Sequence, residues 1–288
     1  MKANLYALVA IALWASLSAL GVSLQHIPPF LLTGIALMIG SVLAWPFVIK
    51  DRRQWQVAPR MLALGVFTLF GFHFLLFIAL RMAPAVEVNL VNYLWPLFIV
   101  VLAPLYLPGV ALRKVHIAAA ITGFAGAAIA ILGGRDGTVA VVASTSTSPM
   151  WGYLLALFSA LIWANYSLQT KRAEMKGTGF PTSAIGLFGL VSGVLSLASH
   201  AALEPSVSLS GRDWLLLAVM GLGPLGAAFF LWDKALKLGD ARQIGILSYL
   251  TPLASTVLLM MVTNRALSWN ILLAATLIIG AALVGTRR

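Results

Sequence analysis

Two places in this 288-residue chain put a tyrosine three residues before a proline inside an apolar run: Asn92-Tyr93-Leu94-Trp95-Pro96 and Ser248-Tyr249-Leu250-Thr251-Pro252. Proline has no N–H to offer the carbonyl four residues earlier, so Pro96 withdraws a partner from Asn92 and Pro252 withdraws one from Ser248. Both of those residues carry a polar side chain and precede a tyrosine. The chemistry on offer is two acceptor-rich patches, suited to an ammonium group or an amide donor. A lone proline kink in an apolar helix is common; its matched duplication is what favours a solute pathway.

Aromatic residues add to this. Trp45, Trp55, Trp151, Trp214, Trp232 and Trp269 fall at or near the ends of apolar runs, where indoles prefer the membrane–water boundary. Trp14, Trp95 and Trp163 fall deeper. A deep indole needs a partner for its N–H and so faces protein or a wet cavity. Trp163 and Tyr166 share a helix face at i,i+3. His73 is the one ionisable residue near the middle of an apolar run, a functional candidate at that depth, and Phe77 continues its face one turn on.

The absent charges narrow the solute. No Asp or Glu falls deep in a run: Glu87 sits in a first turn, where the helix dipole favours it, and Asp233 with Lys237 reads as an i,i+4 surface pair at a run's end. A phosphorylated solute would find no fixed countercharge, and a dication no carboxylate. A neutral or zwitterionic small molecule with apolar or aromatic bulk fits, its ammonium meeting carbonyls, hydroxyls and ring faces. There is no Cys, no metal-ligand cluster, no phosphate-cradling glycine loop and no nucleophile–base pair, so no metal, cofactor or enzymatic role is expected.

The elements that must position these residues follow from composition. The chain is 61% hydrophobic and 9% charged, against about 25% charged in soluble domains. Ten apolar runs have the roughly 20 residues needed to cross a bilayer, near 4–24, 30–49, 61–80, 84–107, 115–133, 151–170, 181–202, 214–236, 241–263 and 268–286. The net charge of +11 sits in clusters between these runs, which points to membrane topology and not to nucleic acid. Of 19 Lys and Arg residues, only Arg81, Arg135, Arg212 and Arg265 fall on one side. The positive-inside rule then puts both termini in the cytoplasm of a multi-pass inner-membrane protein.

The quoted motifs belong to longer matches. Phe72–Pro96 aligns with Ala227–Pro252, and Ala12–Ser16 with Leu161–Asn165. The expected division is a first five-helix repeat over 1–134, an external linker over 135–150, and a second repeat over 151–288. Five spans per half invert the second half relative to the first. Tyr93 and Tyr249 then enter from opposite faces, each roughly 13 Å deep at about 1.5 Å per residue. That is the midplane depth at which inverted-repeat carriers hold substrate.

With ten spans, an inverted repeat and paired Tyr-x-x-Pro motifs, the chain resembles the drug/metabolite transporter superfamily in its EamA-type branch. Asn92–Phe98 (NYLWPLF) and Leu161–Lys171 (LIWANYSLQTK) resemble the YddG-type aromatic amino acid exporters. The resemblance implies a basket of helices around a central cavity, export by alternating access, and aromatic amino acids as substrates. Drugs or nucleobase-like metabolites are the alternative cargo within the superfamily. The expected substrate-binding residues are Trp14, His73, Phe77, Asn92, Tyr93, Trp163, Tyr166, Ser248 and Tyr249, with Pro96 and Pro252 as hinges. Small multidrug relatives use a first-span carboxylate, which this chain lacks, and the driving force and oligomeric state stay open.

Overall fold

The computed structural model describes residues 2–133, 149–262 and 269–285. Most of the expected linker and the cations Arg135, Arg265, Arg287 and Arg288 lie outside the described residues. The chain forms α1 (Lys2–Ala15), α2 (Leu17–Ser23), α3 (Pro29–Ser41), α4 (Trp45–Lys50), α5 (Pro59–Val66), α6 (Phe72–Met82), α7 (Ala85–Asn92), α8 (Trp95–Tyr106) and α9 (Lys114–Gly133). Then come α10 (Met150–Met175), α11 (Ala184–Leu203), α12 (Gly211–Leu222), α13 (Ala228–Leu238), α14 (Ala241–Leu247), α15 (Leu250–Val262) and α16 (Trp269–Gly285). No strand occurs among the described residues.

Consecutive helices join into 8 stretches long and apolar enough to cross a membrane, and Trp269–Gly285 adds a shorter apolar helix. The bilayer offers no water to satisfy backbone groups, so a chain this apolar must bond them within helices. Large side chains such as Leu105, Ile49 and Trp269 face outward without cover, as a lipid-facing surface requires.

Helix pairing runs on small residues, which let backbones approach where lipid supplies no hydrophobic drive between helices. A methyl on Gly126 of α9 would stand 2.7 Å from Ile278 and 3.1 Å from the Ala274 carbonyl of α16. Gly34 and Gly193 bring α3 and α11 equally close, each near the other's carbonyl. Gly40 meets the Gly221 carbonyl at 2.7 Å, again measured from an added methyl.

Besides the breaks at Ser16 between α1 and α2 and at Val42–Ala44 between α3 and α4, four interruptions fall in matched pairs. A π-helical turn at Phe67–Gly71 separates α5 from α6, and another at Gly223–Ala227 separates α12 from α13. Their spacing along the chain equals that between Tyr93 and Tyr249. The other two breaks fall at those tyrosines: α7 stops at Asn92 and α8 starts at Trp95, while α14 stops at Leu247 and α15 starts at Leu250. Pro96 and Pro252 occupy the first turn of the following helix, where a missing N–H costs little. Ser248's carbonyl, which Pro252 was expected to leave free, accepts instead from the Thr251 N–H at 2.9 Å. The tightened i,i+3 turn supplies the donor that proline removed.

Candidate functional site

A cavity of about 500 Å³ lies among α1, α2, α3, α6, α7, α8, α10, α12, α13 and α15. That is within the roughly 300–1,000 Å³ of small-molecule sites. It reaches the turn between α2 and α3, where Leu24, Gln25 and Ile27 line it and Gln25 is exposed.

Its far end is closed by packed aromatic rings. Trp14 meets Trp163 edge-on with centroids 5.7 Å apart, and Trp163 meets Phe229 at 5.6 Å and Phe72 at 5.6 Å. Trp95 joins by the break after Asn92, which turns its ring toward Trp163 at 6.3 Å. Trp232 lies beneath, 5.2 Å from Trp14 and 5.5 Å from Trp95, and it is fully buried. This corrects its expected place at the membrane boundary. Its N–H donates to the Ser167 hydroxyl at 3.3 Å, so α10 supplies the polar partner that water would have supplied at an interface. The N–H of Trp14 likewise donates to the Pro224 carbonyl, inside the second π turn.

Below Trp232, the expected surface pair is also corrected. Asp233 is fully buried and Lys237 nearly so, with Nζ and Oδ2 2.7 Å apart. Thr182 donates to the same oxygen at 2.6 Å, Lys237 donates to the Phe180 carbonyl at 2.6 Å, and its ammonium stands 4.4 Å over the Phe180 ring. The cover comes from the segment after α10. Gly177 takes φ +67, a conformation glycine adopts without penalty, and the following residues fold back over α13. The i,i+4 spacing specified the pair but carried no sign of the lid above it.

The polar lining is neutral: among the described residues, no Asp, Glu, Lys or Arg contributes to it. Nδ1 of His73 bonds to the Leu69 carbonyl at 2.6 Å. That carbonyl has no proton to give, so the ring donates from Nδ1, and in the neutral imidazole Nε2 keeps its lone pair. Asn89, Asn92, Tyr93, Thr251, Ser18, Ser255, Thr33 and Gln25 complete the polar wall.

Of the nine expected binding residues, Trp14, His73, Phe77, Asn92, Tyr93 and Trp163 come together on this cavity. Tyr166, Ser248 and Tyr249 do not line it. Tyr166 stacks behind Trp163 at 5.9 Å, Ser248 turns its hydroxyl back to the Gly245 carbonyl, and Tyr249 packs against Phe124 of α9. Pro96 and Pro252 stand behind the wall as helix starts. Phe229, Phe72 and Thr251 went unsingled in the sequence, although Phe229 lies in the very segment that aligns with His73.

Outside the spanning stretches, Asp240 caps α14. Burial pushes its carboxyl up, but hydrogen bonds from the Arg242 side chain and backbone outweigh this and hold it below the usual carboxylate range. Arg242 Nε stands 3.1 Å and its backbone N 2.8 Å from Oδ1.

The model of the EamA-like transporter family matches residues 1–132 and 150–286. A relative in Ancylobacter novellus, named aromatic amino acid exporter YddG, is 38% identical over 99% of this chain and 97% of its own length. Relatives of the same name in Salmonella typhimurium and Escherichia coli are 30% and 27% identical, each over 100% of this chain and 98% of theirs. A solved crystal structure, 36% identical, superposes with a TM-score of 0.88 over 99% of this chain and 98% of that one.

Proposed function

The chain belongs to the EamA-like transporter family, and we propose that it is a secondary carrier exporting aromatic amino acids through the cavity described above. The observation that carries this is the cavity itself: a wall of Trp14, Phe72, Trp163 and Phe229 beside an uncharged polar face. An aromatic side chain packs edge-on or offset among such rings. The zwitterionic end meets hydrogen-bonding groups without a fixed charge that would favour a net-charged solute. The names of relatives that cover the chain almost end to end speak for the same cargo.

The finer architecture is ten spans in two inverted halves with both termini cytoplasmic, in the inner membrane. In its favour, the π turns and the tyrosine breaks recur at one common spacing, and the two segments matched by the family model correspond to the two halves. On that topology the α2–α3 turn faces outward, so the cavity is open on the release side and closed by rings on the loading side. Pro96 and Pro252 keep the starts of α8 and α15 free of an obligatory N–H bond, and the breaks before them serve as hinges for alternating access.

Proteoliposomes test this. Labelled phenylalanine should be carried, with unlabelled tyrosine and tryptophan competing and a nucleobase not competing. Transport of nucleobases with no competition by any aromatic amino acid would overturn the reading. Repeating the assay with an imposed pH gradient reports the coupling.

A further inference from the structure

Ser159 is fully buried on α10 and does not touch the cavity, yet it determines what the cavity presents. Its hydroxyl donates to the Phe72 carbonyl at 3.1 Å and accepts from Nδ2 of Asn92 at 3.0 Å. The proton arithmetic has one solution. A hydroxyl owns a single proton, and the Phe72 carbonyl is an acceptor only. Turning the proton toward Asn92 would leave two oxygens facing each other at hydrogen-bond distance with nothing between them. Ser159 therefore has only lone pairs left for Asn92, and the Asn92 amide must turn its NH2 toward α10.

The consequence lies on the other side of the amide. Asn92 lines the cavity, and among the described residues no donor reaches its Oδ1. The amide therefore shows the cavity an acceptor. His73, held through Nδ1 on Leu69, offers a second acceptor at Nε2. These two polar groups of the lining are set to the same polarity by bonds to Ser159 and Leu69, which do not line the cavity. A carboxylate brought to either would meet a lone pair, while an ammonium would meet a partner.

We infer that the cavity binds the amino end of its substrate at Asn92 Oδ1, with Ser159 as the positioning residue that fixes this polarity and so selects amine-bearing aromatic solutes over their amine-free counterparts. This rests on the reading of the cavity as an amino acid site. Ser159 acts through Asn92 and touches no substrate.

The full-length purified protein tests it with three probes: phenylalanine, phenethylamine, which keeps the amine and lacks the carboxylate, and 3-phenylpropionate, which does the reverse. Ser159→Ala frees the amide to turn, and should weaken phenylalanine and phenethylamine about tenfold in step while shifting 3-phenylpropionate less than twofold. Asn92→Leu, similar in size and lacking the acceptor, should give the same pattern, so the test survives a poorly folding Ser159→Ala. Equal shifts for amine-bearing and amine-free probes, or none for either, overturn the positioning role alone. Wild-type protein that binds no phenylalanine overturns the amino acid reading, and this inference with it.

Discussion

The Trp14 indole N–H donates to the Pro224 carbonyl at 3.1 Å, joining the end of α1 to a π turn more than two hundred residues away. Pro224 sits in a turn whose carbonyls are out of step with the α-helical ladder, and the indole reaches it as a donor from outside that ladder. Trp14→Phe keeps a ring against Trp163 but removes the donor. The expected loss is about 1–2 kcal/mol of stability, read as a lower unfolding midpoint in detergent, together with slower phenylalanine transport. An unchanged midpoint would mean the bond contributes nothing.

Trp163 touches Trp14, Phe72, Trp95, Phe229 and Trp232, so it is the centre of the ring cluster that floors the cavity. Trp163→Ala should leave membrane insertion intact and weaken aromatic amino acid binding by at least about tenfold, one lost ring contact being worth roughly 0.5–1.5 kcal/mol beyond its area. Trp163→Phe should fall between. Binding assays on both variants check the order.

Tyr249 separates packing from binding. Its ring presses on Gly123 so closely that a methyl there would stand 2.5 Å from Cδ2. Gly123→Ala should destabilise by about 1–3 kcal/mol through overpacking. Tyr249→Phe, which keeps the ring, should carry phenylalanine at close to the wild-type rate. Tyr93→Phe, at the matching position but on the cavity, should not. Rates for the two phenylalanine variants in the same vesicles decide between the positions.

The buried Asp233–Lys237 pair makes a two-step prediction. Asp233→Ala strands an ammonium in a dry site and should cost about 3–5 kcal/mol, whereas Asp233→Leu with Lys237→Met should recover most of it. Unfolding midpoints of the two proteins test this. A double variant as unstable as the single one would show that the pair has a worth of its own.

For Asp240, Arg242's hydrogen bonds depress the carboxyl. A group whose folded pKa is lowered contributes stability above its unfolded value, about 3.9 for Asp, and loses it as pH falls through the folded value. Asp240→Asn should therefore melt below wild type at neutral pH, with the gap closing as the solution is acidified below about pH 4. A gap independent of pH would assign the loss to the α14 cap geometry alone.

Much of this was legible in the residues. Apolar runs located the spans because lipid demands length and composition more than any particular neighbour. Proline marked the α7–α8 and α14–α15 breaks because its missing N–H is a local fact. His73, Trp14 and Trp163 were legible as polar or amphipathic groups too deep to be at an interface. Facts of tertiary cover were not legible. Trp232 and Asp233 sit near a span end, yet Trp232 is buried by the rings of Trp14, Trp95 and Trp163 and by α10, and Asp233 lies under the fold-back after Gly177. Tyr249 repeats Tyr93 in sequence, yet α9 stands against it through Gly123 and keeps it from the cavity. The π turn at Phe67–Gly71 contains no proline and gave no signal at all.

That turn and its counterpart at Gly223–Ala227 lie immediately before α6, which carries His73, and α13, which carries Phe229. In each, the backbone ladder is already one rung out of register. Swivelling the far half of either helix against its near half therefore starts without breaking an intact rung, and the walls loosened in advance are the ones that bring Phe72, His73 and Phe77 on one side and Phe229 on the other to the cavity.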